Sequence, residues 1–139
     1  MQIQSEIIIN ANPSQVWQVL TDFESYPSWN PFIKKIEGNP QVGNKIQAWL
    51  PQMKFTPTVI RFEKEKAFSW LGNLFFKGLF DGHHQFYLEA LPGGKTRFTQ
   101  KEDFKGILVP LFKKMLLNDT TPGFEAMNQA LKERAENLL

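Results

Sequence analysis

Residues 81–104 consist of two stretches in which apolar and polar residues alternate, separated by Pro92-Gly93-Gly94. A period of two is typical of a strand with one buried face, and a three-residue loop that ends in glycine is typical of a hairpin. With Gly94 in the left-handed conformation, Leu91 pairs with Lys95, and each further pair lies one step away on both strands. The pattern therefore predicts a long antiparallel hairpin with a fixed register.

The inward face of this hairpin is apolar except toward one end. In the predicted register it carries Phe86, Leu88 and Phe98. Toward the open end it carries His84, Gln100 and Glu102, and His84 lies opposite Glu102. Burying a charge without a partner is energetically unfavourable, so these groups must form hydrogen bonds with one another or with water. They form a stabilising hydrogen bond, the polar anchors of a ligand cavity, or an acid–base pair.

The rest of the chain predicts further strands and helices. Strands are predicted at 3–9, 32–38, 43–50, 53–64 and 67–75, ahead of the hairpin strands 80–91 and 95–104, with a bulge in 53–64. A short helix begins at Pro13 behind Asn12, and a second helical turn follows near 23–26. Residues 107–118 predict another short helix, and Thr120-Thr121-Pro122 predicts the start of a separate terminal helix.

An antiparallel sheet with one apolar face must be covered, and the terminal helix is the long amphipathic element available to cover it. The expected fold is α+β: a curved antiparallel sheet of about seven strands wrapped around a long C-terminal helix, with two short helices after strand 1. A length of 139 residues fits a single domain over 1–139.

Composition narrows the range of functions. The formal charge is +2 and the basic residues are dispersed, so nucleic acid is not an expected partner. The chain has no cysteine, and its two histidines, His83 and His84, point to opposite faces of a strand, so no metal site is expected. It has no phosphate-binding glycine-rich loop, and we expect no cofactor. With no apolar run of ~18 residues and no signal-like N-terminus, a cytoplasmic location is expected.

Four stretches resemble a known family: NANPSQVWQVLTDFESYPSWNPFI (10–33), SWLG (69–72), HHQFYLEALPGGKTRFTQKEDFKGIL (83–108) and GFEAMNQALKERAE (123–136). Together they resemble bacterial polyketide cyclase/dehydrase-type proteins of the START-like superfamily, also called SRPBCC. The resemblance implies a helix-grip architecture, often with a deep hydrophobic cavity between sheet and helix. The superfamily includes lipid-transfer domains, hormone receptors, aromatic cyclases and Rieske oxygenase subunits. The lack of cysteine excludes the last of these.

The main functional hypothesis is a binding protein for a hydrophobic small molecule such as a lipid, an isoprenoid or an aromatic, polyketide-like compound. The expected cavity walls are Trp70, Phe86, Leu88, Phe98, Phe124, Met127 and Leu131. His84, Gln100 and Glu102 would bind a polar end of the ligand. Leu111 and Met115 would face inward at the entrance.

Two alternatives remain. One is a cyclase- or dehydratase-type enzyme, without metal or nucleotide, in which Glu102 orients His84 as the proton-transfer group. The other is an interaction module that contacts a protein or, peripherally, a membrane. It would use the apolar stretches 75–80 and 107–112, flanked by Lys77, Lys113 and Lys114. The sequence favours no particular oligomeric state.

Overall fold

The computed structural model describes residues 1–51, 53–74 and 77–138, without the side chain of Leu74. The strands are β1 (Gln2–Ile9), β2 (Lys35–Glu37), β3 (Gln47–Trp49), β4 (Lys54–Phe55), β5 (Thr58–Glu63), β6 (Ala67–Leu74), β7 (Phe80–Leu91) and β8 (Lys95–Lys105). The helices are α1 (Pro13–Thr21), α2 (Tyr26–Trp29) and α3 (Val109–Glu136), with a 3₁₀ turn at Phe23–Ser25. Phe75 and Phe76, part of the predicted apolar rim, lie outside the described residues.

All strand pairs within these ranges are antiparallel. Five strands form one sheet in the order β1-β8-β7-β6-β5, and β2, β3 and β4 form a second sheet. An isolated bridge between Lys45 and Thr58 connects the segment just before β3 to β5. Helix α3 packs against β1, β8 and α1. This arrangement confirms the α+β helix-grip fold, with eight strands in place of about seven.

Local sequence signals account for several elements. The Oδ1 atom of Asn12 accepts a hydrogen bond from the Gln15 N–H at 2.9 Å, and the Gln15 side chain accepts one from the Asn12 N–H, which forms a capping box ahead of α1. Leu91 pairs with Lys95 and His84 with Glu102, as predicted for the hairpin. The pairing of β5 with β6 shifts after Val59, where a bulge was expected.

The prediction of two separate C-terminal helices is wrong. Helix α3 is continuous over 28 residues, and Pro122 lies inside it. Proline removes one backbone donor and disfavours a helix interior. Here Leu116 precedes it and Phe124 and Leu131 follow it on one buried face, so packing against the sheet outweighs the local cost.

The core lies between the concave face of the larger sheet, α1 and the second half of α3. Its largest fully buried side chains include Trp70, Tyr26, Phe68, Phe86, Phe98, Phe124, Met127 and Leu131. These aromatic and aliphatic groups fill the middle of the grip, where a cavity was expected. No helix in the described ranges is long and apolar enough to cross a membrane.

Candidate functional site

A chain of buried and partly buried polar side chains connects β7, β8, α3 and β1. His84 Nδ1 lies 2.8 Å from Glu102 Oε1, and His84 Nε2 lies 2.8 Å from Gln100 Oε1. Gln100 Nε2 donates to Asn128 Oδ1 at 2.9 Å, and Asn128 Nδ2 donates to Ser5 Oγ at 3.1 Å. Every member therefore has a partner, which offsets the cost of burying polar groups. We call these five residues the polar chain.

His84 is enclosed by aromatic rings and is only 3% exposed. Trp70 stacks on the imidazole with ring centroids 5.1 Å apart, Phe124 meets it edge-on at 5.0 Å, and Phe86 lies at 4.7 Å. Both ring nitrogens are engaged within the protein. His84 therefore holds other side chains in position and has no free nitrogen for a bound molecule.

The contact between His84 and Glu102 constrains where a proton lies. Two lone pairs facing each other across 2.8 Å would repel, so a proton lies between Nδ1 and Oε1. In that arrangement the second oxygen of Glu102, Oε2, acts as a hydrogen-bond acceptor. The Glu102 side chain is 15% exposed, in contrast to the buried imidazole.

A cavity of about 540 Å³ begins where the polar chain ends at Glu102. It lies between the first half of α3, the ends of β6, β7 and β8, and the segments around α2 and β4. Five phenylalanines line it: Phe32, Phe55, Phe80, Phe104 and Phe112. The remaining wall includes Leu50, Met53, Met115, Leu116 and Pro122, with Asn118, Asp119 and Thr120 on the helical side.

Three glycines in the wall lie directly against side chains that line the cavity. A Cβ atom at Gly72 would lie 3.3 Å from the Phe55 ring. A Cβ at Gly82 would overlap Glu102 Oε2, and one at Gly123 would overlap the Phe32 ring. Phe32, Phe55 and Glu102 all line the cavity. Each glycine therefore leaves room for a side chain that shapes the cavity.

Two of the twelve predicted ligand-binding residues, Glu102 and Met115, line the cavity. Leu111 does not face inward as expected, because it is 75% exposed. The other nine lie in the buried interior and are not part of the cavity wall: Trp70, His84, Phe86, Leu88, Phe98, Gln100, Phe124, Met127 and Leu131. Their rings and branched chains pack against one another, so the middle of the grip is filled.

Sequence reasoning missed most of the cavity wall, although the hairpin register contained part of the signal. One pair beyond His84 and Glu102 on the same face, Gly82 lies opposite Phe104. A glycine facing an aromatic residue at the end of the inward face is a pattern that favours open space. The walls contributed by Phe32 and Phe55 come from the α2 and β4 segments, for which the sequence gives no register.

The outer face of the hairpin carries a second polar group. Gln85 Nε2 donates to Asp103 Oδ2 at 2.8 Å, and Gln2 Nε2 donates to Oδ1 at 2.9 Å. Partial burial raises the pKa of Asp103, but these two hydrogen bonds together with the charges of Lys101 and His83 outweigh it and hold the pKa below its usual value. Burial lowers the pKa of His83, although Asp103 and Glu102 oppose this shift. In the described ranges, no three metal-binding side chains are grouped around a common point.

The fold is shared with solved structures of low sequence identity. A hypothetical protein from Helicobacter pylori is 18% identical with a TM-score of 0.82, over 97% of this chain and 88% of that one. A START superfamily protein from Mycobacterium smegmatis is 20% identical with a TM-score of 0.75, over 99% of both chains. The di-domain ARO/CYC protein BexL of the BE-7585A biosynthetic pathway is 10% identical with a TM-score of 0.73, over 98% of this chain and 46% of that one. At these identities the similarity shows the fold alone.

None of the curated proteins matches the chain. A family model described as polyketide cyclase/dehydrase and lipid transport matches residues 1–136. This match covers all the elements that form the grip, the polar chain and the cavity. The chain therefore belongs to the polyketide cyclase/dehydrase and lipid transport family.

Proposed function

We propose that this protein binds a hydrophobic small molecule in the cavity that begins at Glu102. The observation that carries the proposal is the cavity itself: about 540 Å³ of space with five phenylalanines in its wall and a carboxyl group at its inner end. Small-molecule sites have volumes of roughly 300–1,000 Å³ and combine apolar walls with a few placed polar groups. Both conditions hold here.

The polar chain supports this function by fixing Glu102. His84 holds one carboxyl oxygen, Gln100 holds His84, and Asn128 connects them to α3. A polar group that is locked before binding loses less conformational freedom when a ligand arrives. The family description, which includes lipid transport, agrees with a hydrophobic ligand.

A second candidate function is a cyclase- or dehydratase-type reaction on a polyketide-like substrate, for which the ARO/CYC protein provides a structural parallel. The arrangement that favours it is the proton held between His84 and Glu102 at the cavity wall. Glu102 would then transfer protons, and His84 would orient it without touching the substrate. Turnover that is lost in Glu102→Gln while substrate binding persists would support this function.

Occupying the cavity with a side chain tests the binding function. Gly72→Leu places a side chain in the cavity from the inward face of β6, and we expect it to weaken binding of the neutral dye Nile red about tenfold or more. Dye fluorescence measures the affinity. Native mass spectrometry of the freshly purified protein identifies any hydrophobic molecule that copurifies with it.

Asn73→Leu is the matched control. Asn73 is the next residue of β6, is exposed and does not line the cavity, so the same side chain there leaves the cavity unchanged. We expect this variant to bind the dye as the natural sequence does. Equal dye affinity in both variants would show that the dye does not enter the cavity, and the proposed function would be wrong.

A further inference from the structure

We infer that the preferred ligand is a hydrophobic amine, bound with its ammonium group at Glu102 and its apolar body among the phenylalanines. This inference rests on the proposed function and specifies the chemistry of its ligand. It follows from three features of the cavity: an unengaged acceptor atom, a wall with acidic but no basic side chains among the described residues, and the position of the aromatic rings.

The acceptor is Oε2 of Glu102. Oε1 is bound to His84, whereas Oε2 has no hydrogen-bond donor among the described residues and points toward the space above Gly82. Glu102 is also a wall residue of the cavity. A carboxyl oxygen at the end of an apolar cavity is stabilised by a donor that enters with the ligand, and a charged donor gives the strongest such bond.

Both ionisable side chains among the described residues of the wall are acidic. Glu102 lies at the inner end and Asp119 lies on α3, while Asn118 and Thr120 add neutral polar groups. Among the described residues, the wall contains no lysine, arginine or histidine. A ligand with a carboxylate or phosphate would bring its charge toward the Asp119 carboxylate and the acceptor oxygen of Glu102 without meeting a basic side chain in the wall, which is unfavourable. A cationic ligand would be attracted by the same acidic side chains.

Aromatic rings adjoin the carboxyl group. A Cβ atom at Gly82 would lie 3.7 Å from the Phe104 ring on one side and would overlap Glu102 Oε2 on the other, so both groups border the same space. The Phe104 and Phe80 ring centroids are 5.8 Å apart, and so are those of Phe80 and Phe112. Ring faces attract alkylammonium groups, most strongly where water is excluded.

Three probes with the same apolar body separate the possibilities at pH 7: decylamine and decanoate, each below its micelle concentration, and decanol below its solubility limit. The amine is protonated at this pH because alkylammonium groups have pKa values near ~10. By isothermal titration calorimetry we expect decylamine to bind about tenfold tighter than decanol, with decanoate the weakest. Glu102→Gln should abolish the preference for the amine over the alcohol.

Glu125→Gln controls for the loss of one negative charge, because Glu125 is exposed on α3 and is not part of the wall. It should retain the preference. If decanol and decylamine both fail to bind the natural sequence, the proposed function itself is wrong. If decanol binds and decylamine binds no tighter, or if Glu102→Gln keeps the preference, the cavity stands as a binding site and the amine inference is overturned.

Discussion

Asn128 connects the terminal helix to the sheet through a pair of hydrogen bonds. It is 2% exposed, accepts from Gln100 and donates to Ser5, so its amide is used in both directions. Removing one member of a buried polar chain leaves its former partners without hydrogen bonds in a medium with little water. The effect of such a change should exceed the worth of one exposed hydrogen bond.

Asn128→Ala is expected to lower the free energy of unfolding by roughly 1–3 kcal/mol, because the Gln100 amide loses its acceptor. Urea unfolding followed by circular dichroism measures this change. Gln129→Ala is the matched control on the neighbouring exposed position, where roughly 0.5 kcal/mol or less is expected. A similar small loss in both variants would contradict a stabilising role for the polar chain.

The contact of His84 with Glu102 could be predicted from sequence, because the Pro92-Gly93-Gly94 turn fixes the register and the alternation fixes the inward face. The contact of Gln100 with Asn128 could not. It depends on the rotation and depth of α3 against the sheet, which distant packing sets. The sequence pattern defines the inner face of each element but not which side chains meet across the two faces.

At the level of elements, α3 has two halves with different surroundings. After Pro122, Phe124, Met127 and Leu131 are fully buried against the sheet and α1. Before it, buried side chains are few and the helix forms one wall of the cavity. Pro122 also removes the hydrogen bond that would join the halves at the Asn118 carbonyl. The first half therefore depends less on the core for its stability.

Native-state hydrogen exchange should show this difference. We expect amides in 109–121 to exchange at least about tenfold faster than those in 123–136, since local opening is easier where few apolar side chains are buried. A bound cavity ligand should slow exchange in the first half more than in the second. Equal protection along the whole helix would contradict the division.

The continuity of α3 also shows why its sequence wrongly predicts two separate helices. Thr120-Thr121-Pro122 is a helix-start signal, since proline is favoured in the first turn. Rules for helix starts consider only the residues near the proline and ignore tertiary packing. Here the residues on both sides of Pro122 share a buried face. Tertiary packing therefore stabilises one continuous helix where the local sequence signal predicts two.

For the molecule as a whole, Asp103 and His83 make stability depend on pH in the same direction. The folded pKa of Asp103 lies below its ordinary value of 3.8, so its contribution is present above that value and is lost as the pH falls through the folded pKa. The folded pKa of His83 lies below 6.5, so folding favours the neutral ring and this contribution is also lost on acidification.

The free energy of unfolding should therefore start to fall as the pH drops below about 6.5 through His83, and fall again below about 3.8 through Asp103. Urea unfolding over a pH series gives the profile. His83→Gln should flatten the first decline and Asp103→Asn the second. Unchanged slopes in these variants would assign the pH dependence to other groups.

The position of the cavity could not be predicted from the sequence, because it depends on the volumes of the side chains that fill the grip. Trp70 and Gly72 lie on the same face of β6, yet Trp70 is packed in the filled middle of the grip and Gly72 borders open space. Alternation reports which residues face inward, but not whether their summed volume equals the space enclosed. The helix-grip architecture could therefore be predicted, whereas the site within it depends on how completely the side chains fill the enclosed space.

The three glycines in the wall differ in how freely they could vary during evolution. Gly72, Gly82 and Gly123 lie on different elements, and each faces a side chain of the wall. A Cβ atom at Gly82 or Gly123 would overlap a wall side chain, so a substitution there must displace that side chain, whereas a Cβ atom at Gly72 meets the Phe55 ring at 3.3 Å. Variation at Gly72 can therefore change which ligands fit while the packed centre around Trp70 and Phe86 stays in place.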